Sequence, residues 1–140
     1  MKRYLQLFFL VVMMPLILGM GSLNEGSSPD KIPIPEKKYK VTFIDQMDVL
    51  TECSNASIDG RTFMEGKIGS GSHAISFDKI NHILFHMIDD KLIAALKLTE
   101  GSKIELTVNK SAKAFGITSH GTFQIKLIDL KRMIIEGPIK

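Results

Sequence analysis

The chain has 140 residues, 18 Lys and Arg against 15 Asp and Glu, one cysteine, no tryptophan and an apolar content of 44%. One cysteine excludes an internal disulfide, and this length allows one domain around a single core. A net charge of +3 gives no overall electrostatic footprint for nucleic acid or an anionic membrane.

Met1-Lys2-Arg3 is a short basic stretch, followed by an uncharged apolar run from Leu5 to Met20 and small residues around Gly19 and Gly21. This three-part pattern predicts a secretory signal peptide over residues 1–21, cleaved after Gly21, and a periplasmic or secreted protein. A spanning anchor needs ~20 apolar residues; this run is shorter and is interrupted by Pro15. No cysteine follows it to carry a lipid. Loss of Lys2 and Arg3, with no acidic residue before Glu25, brings the net charge from +3 to +1. Residues 22–38 are rich in Ser, Pro and charge and read as a disordered or extended linker, with Ile32-Pro33-Ile34-Pro35 as a strap along the domain.

The folded part is expected over residues 39–140. Lys40–Ile44 and Val49–Cys53 read as strands, and Asp59-Gly60 is a turn signal before Thr62–Ile68. Gly69-Ser70-Gly71 turns into Ser72–Phe77, Asp78–Ile80 makes a tight corner, and His82–Met87 returns with Ile83, Phe85 and Met87 on one face. Lys91–Leu98 and Lys103–Val108 flank the turn Thr99-Glu100-Gly101-Ser102. Ala114–Ser119, Thr122–Leu127 and Arg132–Glu136 follow, the last two joined by a corner at Asp129-Leu130.

Phe63–Met87 falls without a gap on Lys113–Gly137 after a shift of 50 positions. Gly66 meets Gly116, Gly71 meets Gly121, and apolar positions such as Ile83 and Met133 coincide. The stretch Asp78–Leu98 also fits a helical period, with Asp78 as N-cap. Its echo, Thr122–Glu136, alternates more cleanly and is denser in β-branched and aromatic residues, which favours strand for both. The expectation is an all-β protein, a small antiparallel sandwich or barrel of two tandem ~50-residue repeats at about 41–88 and 91–138. Gly71 and Gly121 are expected at positive φ, and Gly66 and Gly116 at bulges or close backbone approaches.

Gly121–Ile135, its partner Gly71–Phe85 and the hairpin Leu96–Leu106 resemble the strand, corner and strand units of Sm-like and SH3-like barrels. The chain is also similar to uncharacterised exported proteins of Gram-negative bacteria with a doubled unit. The Sm-like resemblance implies RNA binding, which export and the small net charge oppose.

Four histidines, His73, His82, His86 and His120, are the ligand candidates. On a helix His82 and His86 would share a face and chelate one metal; on a strand they lie ~13 Å apart at about 3.3 Å per residue, too far for one ion. Cys53 is either a buried small hydrophobe or a free thiol able to pair with another chain, burial being the ordinary fate. Asn55-Ala56-Ser57 is a formal glycosylation sequon. Asp89-Asp90 is an adjacent pair in a turn, and Gly69-Ser70-Gly71-Ser72 lacks the strand-to-helix context of a nucleophile elbow. No phosphate loop or dinucleotide fingerprint occurs, and no catalytic residue or cofactor is expected. The expected function is that of a non-enzymatic envelope protein, structural or protein-binding, meeting a partner or itself through an unpaired edge strand. The alternative is a periplasmic metal- or small-ligand-binding protein using His82 and His86.

Overall fold

The computed structural model describes residues 32–139; the signal peptide and most of the linker expected from the sequence lie outside them. Ten strands account for the folded chain: β1 (Tyr39–Asp45), β2 (Leu50–Ile58), β3 (Phe63–Ile68), β4 (Gly71–Ser76), β5 (Ile80–Ile88), β6 (Lys91–Leu98), β7 (Lys103–Val108), β8 (Lys113–Thr118), β9 (Gly121–Lys126) and β10 (Leu130–Pro138). Short 3-10 turns, Phe77–Lys79 and Leu127–Asp129, precede β5 and β10. The expected all-β class holds, and the segment that fits a helical period is the hairpin of β5 and β6.

All ten strands join in one antiparallel sheet in the order β4-β3-β7-β6-β5-β10-β1-β2-β8-β9. Its curvature follows from one contact. In a flat sheet β1 and β9 would lie about 14 Å apart, three strand spacings, yet Phe43 of β1 stacks on Phe123 of β9 with ring centroids 5.6 Å apart. Curling turns one face into the core. Tyr39, Val41 and Phe43 of β1, Leu92, Ala94 and Leu96 of β6, and Ile83 and Met133 of β5 and β10 all point there. Phe77 and Leu127 plug the core from the two 3-10 turns. The alternation that produces this burial is the period of two expected of half-buried strands.

Tight turns set the registers. Asp59 and Gly60 have φ of 52° and 83°, the two positive values of a type I′ hairpin turn, and Ile58 and Arg61 exchange backbone hydrogen bonds of 2.8 and 3.0 Å around them. Asp89 and Asp90, at 49° and 63°, do the same between β5 and β6 without glycine. In the β3–β4 turn the positive φ falls on Gly69, at 60°, and not on Gly71 as the repeat suggests; Gly121 has the expected positive value, 147°. Two residues on, the turn has simply closed by Gly71, which pairs with Ile68.

Two further differences concern length and face. β2 continues to Ile58, well past Cys53, because it absorbs a bulge between Ser54 and Ser57 with Asn55 at φ 51°. Met87 shares the inward parity of Ile83 and Phe85 but is 44% exposed, since it sits at the end of the sheet beside the Asp89-Asp90 turn. The strap expected at Ile32–Pro35 lies against the domain: Pro35 is buried, and Pro33 lies so close to Gly60 that an added Cβ would meet it at 3.0 Å. Lys37 and Tyr39 then both bond the Asp78 carboxylate, Lys37 at 2.5 Å, which fastens the chain entry to the first 3-10 turn. That contact holds Asp78 below the usual carboxylate range, through Lys37 first and the Tyr39 hydroxyl second.

Candidate functional site

β3, β4, the first 3-10 turn and β5 begin at residues 63, 71, 77 and 80; β8, β9, the second turn and β10 begin at 113, 121, 127 and 130. In each set the hairpin leans on a strand from elsewhere in the chain, β3 on β7 and β8 on β2. These two seams are unlike. β2 and β8 pair at Ser54–Ile117, Ser57–Phe115 and Ile58–Ala114, whereas β3 and β7 pair only at Lys67–Thr107.

The cause is local. After Val108 the Asn109 side chain accepts the Ser111 amide at 2.8 Å and its carbonyl accepts the Ala112 amide at 3.2 Å. An Asx turn of this kind competes with strand hydrogen bonding and ends β7 there. In β2, Asn55 takes up the bulge and the strand runs on. Gly66 marks the last close approach of the open seam: an added Cβ would lie 2.7 Å from the Leu106 Cβ and 2.9 Å from the Thr107 carbonyl. From Gly66 back to Phe63, β3 has no strand paired on that side.

A cavity of about 480 Å³ occupies the gap. Its deeper wall is apolar, made by Met64, Val108, Ala112 and Leu127; its rim carries Asp59, Arg61, Glu65, Lys67 and Ser72. Arg61 bridges to Glu65 at 2.9 Å with its guanidinium 5.7 Å from the Phe63 ring centroid, so the rim is mixed in charge and partly ordered. The Asp59 carboxylate accepts the Lys113 amide at 3.1 Å, tying this corner to β8. The volume lies in the range of ligand-sized pockets, with an apolar floor and a few polar groups at the mouth. Such a gap can take an apolar side chain and align an extended backbone beside β3.

None of the histidines singled out by the sequence lines it. His82 and His86 are four residues apart on β5, on the outer face, and strand rise separates them by ~13 Å. The His82 ring Nδ1 is 3.0 Å from Asn81 Oδ1. Burial, then the charges of Arg132, Lys97 and Lys103, hold its pKa below the ordinary histidine value. His73 is exposed on the edge strand β4, and His120 lies in the β8–β9 turn, its amide donating to Thr118 Oγ1 at 3.1 Å. Among the described residues no three His, Cys, Asp or Glu side chains gather closely enough to hold a metal. Cys53 is 2% exposed beneath Gly116, and burial pushes its thiol up to about 12. Asp90 pairs with Lys110 at 3.2 Å in its exposed turn.

Sequence reasoning passed over Arg61, Glu65, Lys67, Thr107 and Asn109. The available signal was Asn109: a residue prone to Asx turns, with Lys110 and Ser111, ends an alternating run in one copy only. Among known proteins, residues 35–138 match the family model described as "Uncharacterised protein". No curated protein and no solved structure matches the chain.

Proposed function

Since the chain belongs to that uncharacterised family, we propose a function from its own surface: a non-enzymatic binding module that captures an extended segment of a protein partner at the open seam. The captured segment lies along β3 from Phe63 to Glu65, with one apolar side chain in the cavity. The observation that carries this reading is the single pairing of β3 with β7, at Lys67–Thr107, beside a cavity of about 480 Å³. Strand addition draws affinity from main-chain bonds and specificity from such a side-chain pocket.

The setting is the bacterial envelope, periplasmic or secreted, on the strength of the Met1–Gly21 pattern. We read the domain as two tandem copies, about 41–88 and 91–138. Equal element spacing supports this, as does a strand order that reads the same from either end once β1–β5 and β6–β10 are exchanged. The hairpin, 3-10 turn and strand of each copy suit the Sm-like and SH3-like comparison. The alternative use of His82 and His86 for a metal or small ligand gains no support from their spacing on β5.

The test is selection of random peptides on the purified protein, followed by hydrogen exchange. Bound peptides should slow exchange of the Phe63–Glu65 amides and be lost in Thr107→Trp, which plugs the mouth. Peptides that bind Thr107→Trp equally well, or protect only β9, would sink the reading.

A further inference from the structure

The outer face of the sheet carries a row of cations that the fold does not neutralise. Lys103 faces Lys97 across β7 and β6, and Lys97 faces His82 across β6 and β5. Arg132 stands on the same face of the next strand, opposite Leu84. Among the described residues, none of Lys97, Lys103 and Arg132 forms an ion pair with a carboxylate, although Lys37, Lys40, Arg61, Lys110 and Lys131 all do. The Lys97 ammonium instead donates to the Gly101 carbonyl at 2.7 Å. Like charges set directly opposite in an antiparallel pair destabilise it, so this arrangement opposes folding locally. Beside the row the face turns apolar: Leu84 is 36% exposed, and Ile134 and Ile44 are half-buried.

The plan of the fold does not demand these charges. Lys97 sits between His82 and Lys103 as Ile44 sits between Arg132 and Leu50, so in register Lys97 answers to Ile44 and Lys103 to Leu50, both apolar. One hairpin therefore carries Lys at positions where its counterpart carries Ile and Leu.

We propose that Lys103, Lys97 and Arg132 form a docking surface for an acidic segment of a protein partner, whose carboxylates pair with these three cations while its apolar side chains rest on Leu84 and Ile134. Charge complementarity names the occupant. Lys103 and Lys97 stand about 5 Å apart on neighbouring strands and Arg132 two strands beyond Lys97; an extended chain of alternating acidic and apolar residues, lying on its edge, turns carboxylates about 7 Å apart to one flank and apolar side chains to the other. The surface shares β7 with the seam, but Lys103 opens that strand whereas Thr107 and Val108, which border the gap, close it.

A labelled peptide alternating Glu and Leu, titrated into the full chain by fluorescence anisotropy at low and high salt, tests this. The peptide should bind, weaken with salt, and lose about tenfold in affinity in the variant Lys97→Gln/Lys103→Gln/Arg132→Gln. The control Lys38→Gln/Lys91→Gln/Lys126→Gln removes the same charge elsewhere and should bind as the wild type does. Equal losses in both variants would reduce the effect to net charge and overturn the proposal, as would absence of peptide binding. Sedimentation with phosphatidylglycerol vesicles completes it: vesicle binding that needs the three cations, with no peptide binding, would mean that the face meets lipid instead.

Discussion

The seams β3–β7 and β2–β8 are built from matching elements and end differently. One is paired along its length through a bulge; the other opens after a single pair and leaves a cavity. Both begin with a glycine pressed against the opposing strand, Gly116 on Cys53 and Gly66 on Leu106. The lesson is that a shared scaffold is diverted by a few residues. Asn55 at positive φ keeps β2 running, while the Asn109 turn stops β7.

The largest contrast should come from the glycines. An alanine Cβ at Gly116 would sit 2.5 Å from the Cys53 Cβ, deep in the closed seam. Gly116→Ala should cost about 2–3 kcal/mol in urea unfolding, and Gly66→Ala about 1 kcal/mol, because the open seam can yield. Equal costs would erase the distinction. Next come two alanines. Ala114→Leu, at a fully buried position of the closed seam, should cost about 1–3 kcal/mol, whereas Ala112→Leu grows into the cavity and should leave the thermal midpoint unchanged or higher. A loss at Ala112 matching that at Ala114 would show the cavity unable to accept the side chain.

A smaller effect tests the bulge. Asn55→Val places a β-branched residue at φ 51° and should cost about 1–2 kcal/mol. It should also expose Cys53. With its thiol pushed up to about 12 by burial, native Cys53 should resist thiol reagents near neutral pH. Labelling should speed up in Asn55→Val and stay slow in Asn109→Ala, whose turn lies in the other seam. Smallest is the pH dependence of His82. Its folded pKa lies below the unfolded value of 6.5, so the unfolded chain takes up the proton first. Stability is complete above that value and falls as the pH drops through it towards the folded pKa. Thermal midpoints across this range should slope in the wild type and flatten in His82→Gln.

Much of the scaffold was legible in the sequence because it rests on period and punctuation. Alternation in TFQIKL and KLIAALKL marks β9 and β6, and the Gly66/Gly116 coincidence marks two close approaches. The order of strands was not legible. It depends on β7 crossing to β3 and β2 crossing to β8, contacts between residues far apart with no local signature. The candidate site was nearly invisible for the same reason. It consists of a pairing that fails to form, and Arg61, Glu65 and Lys67 read in sequence as ordinary solvated strand residues. The histidines drew attention by chemical type, while backbone geometry decided the place.

The pairing of β1 with β10 bears on when this protein can exist as a folded object. Tyr39 faces Pro138, and every pair between them down to Asp45–Leu130 joins the first strand of the domain to the last. The half β10-β1-β2-β8-β9 joins the two ends of the chain, whereas the half β4-β3-β7-β6-β5 is contiguous, from Phe63 to Val108. A growing polypeptide can therefore pair β3 to β7 among themselves, but the half built on β1 stays unfinished until its final strand arrives. Contacts this distant close slowly, so the newly made chain has a long interval in which β1 and β2 wait with their edges bare. Agents that hold unfolded chains would find their target then, and a truncation that removes only β10 should leave β1 and β5 without their central neighbour and part the β1 half of the sheet from the β5 half.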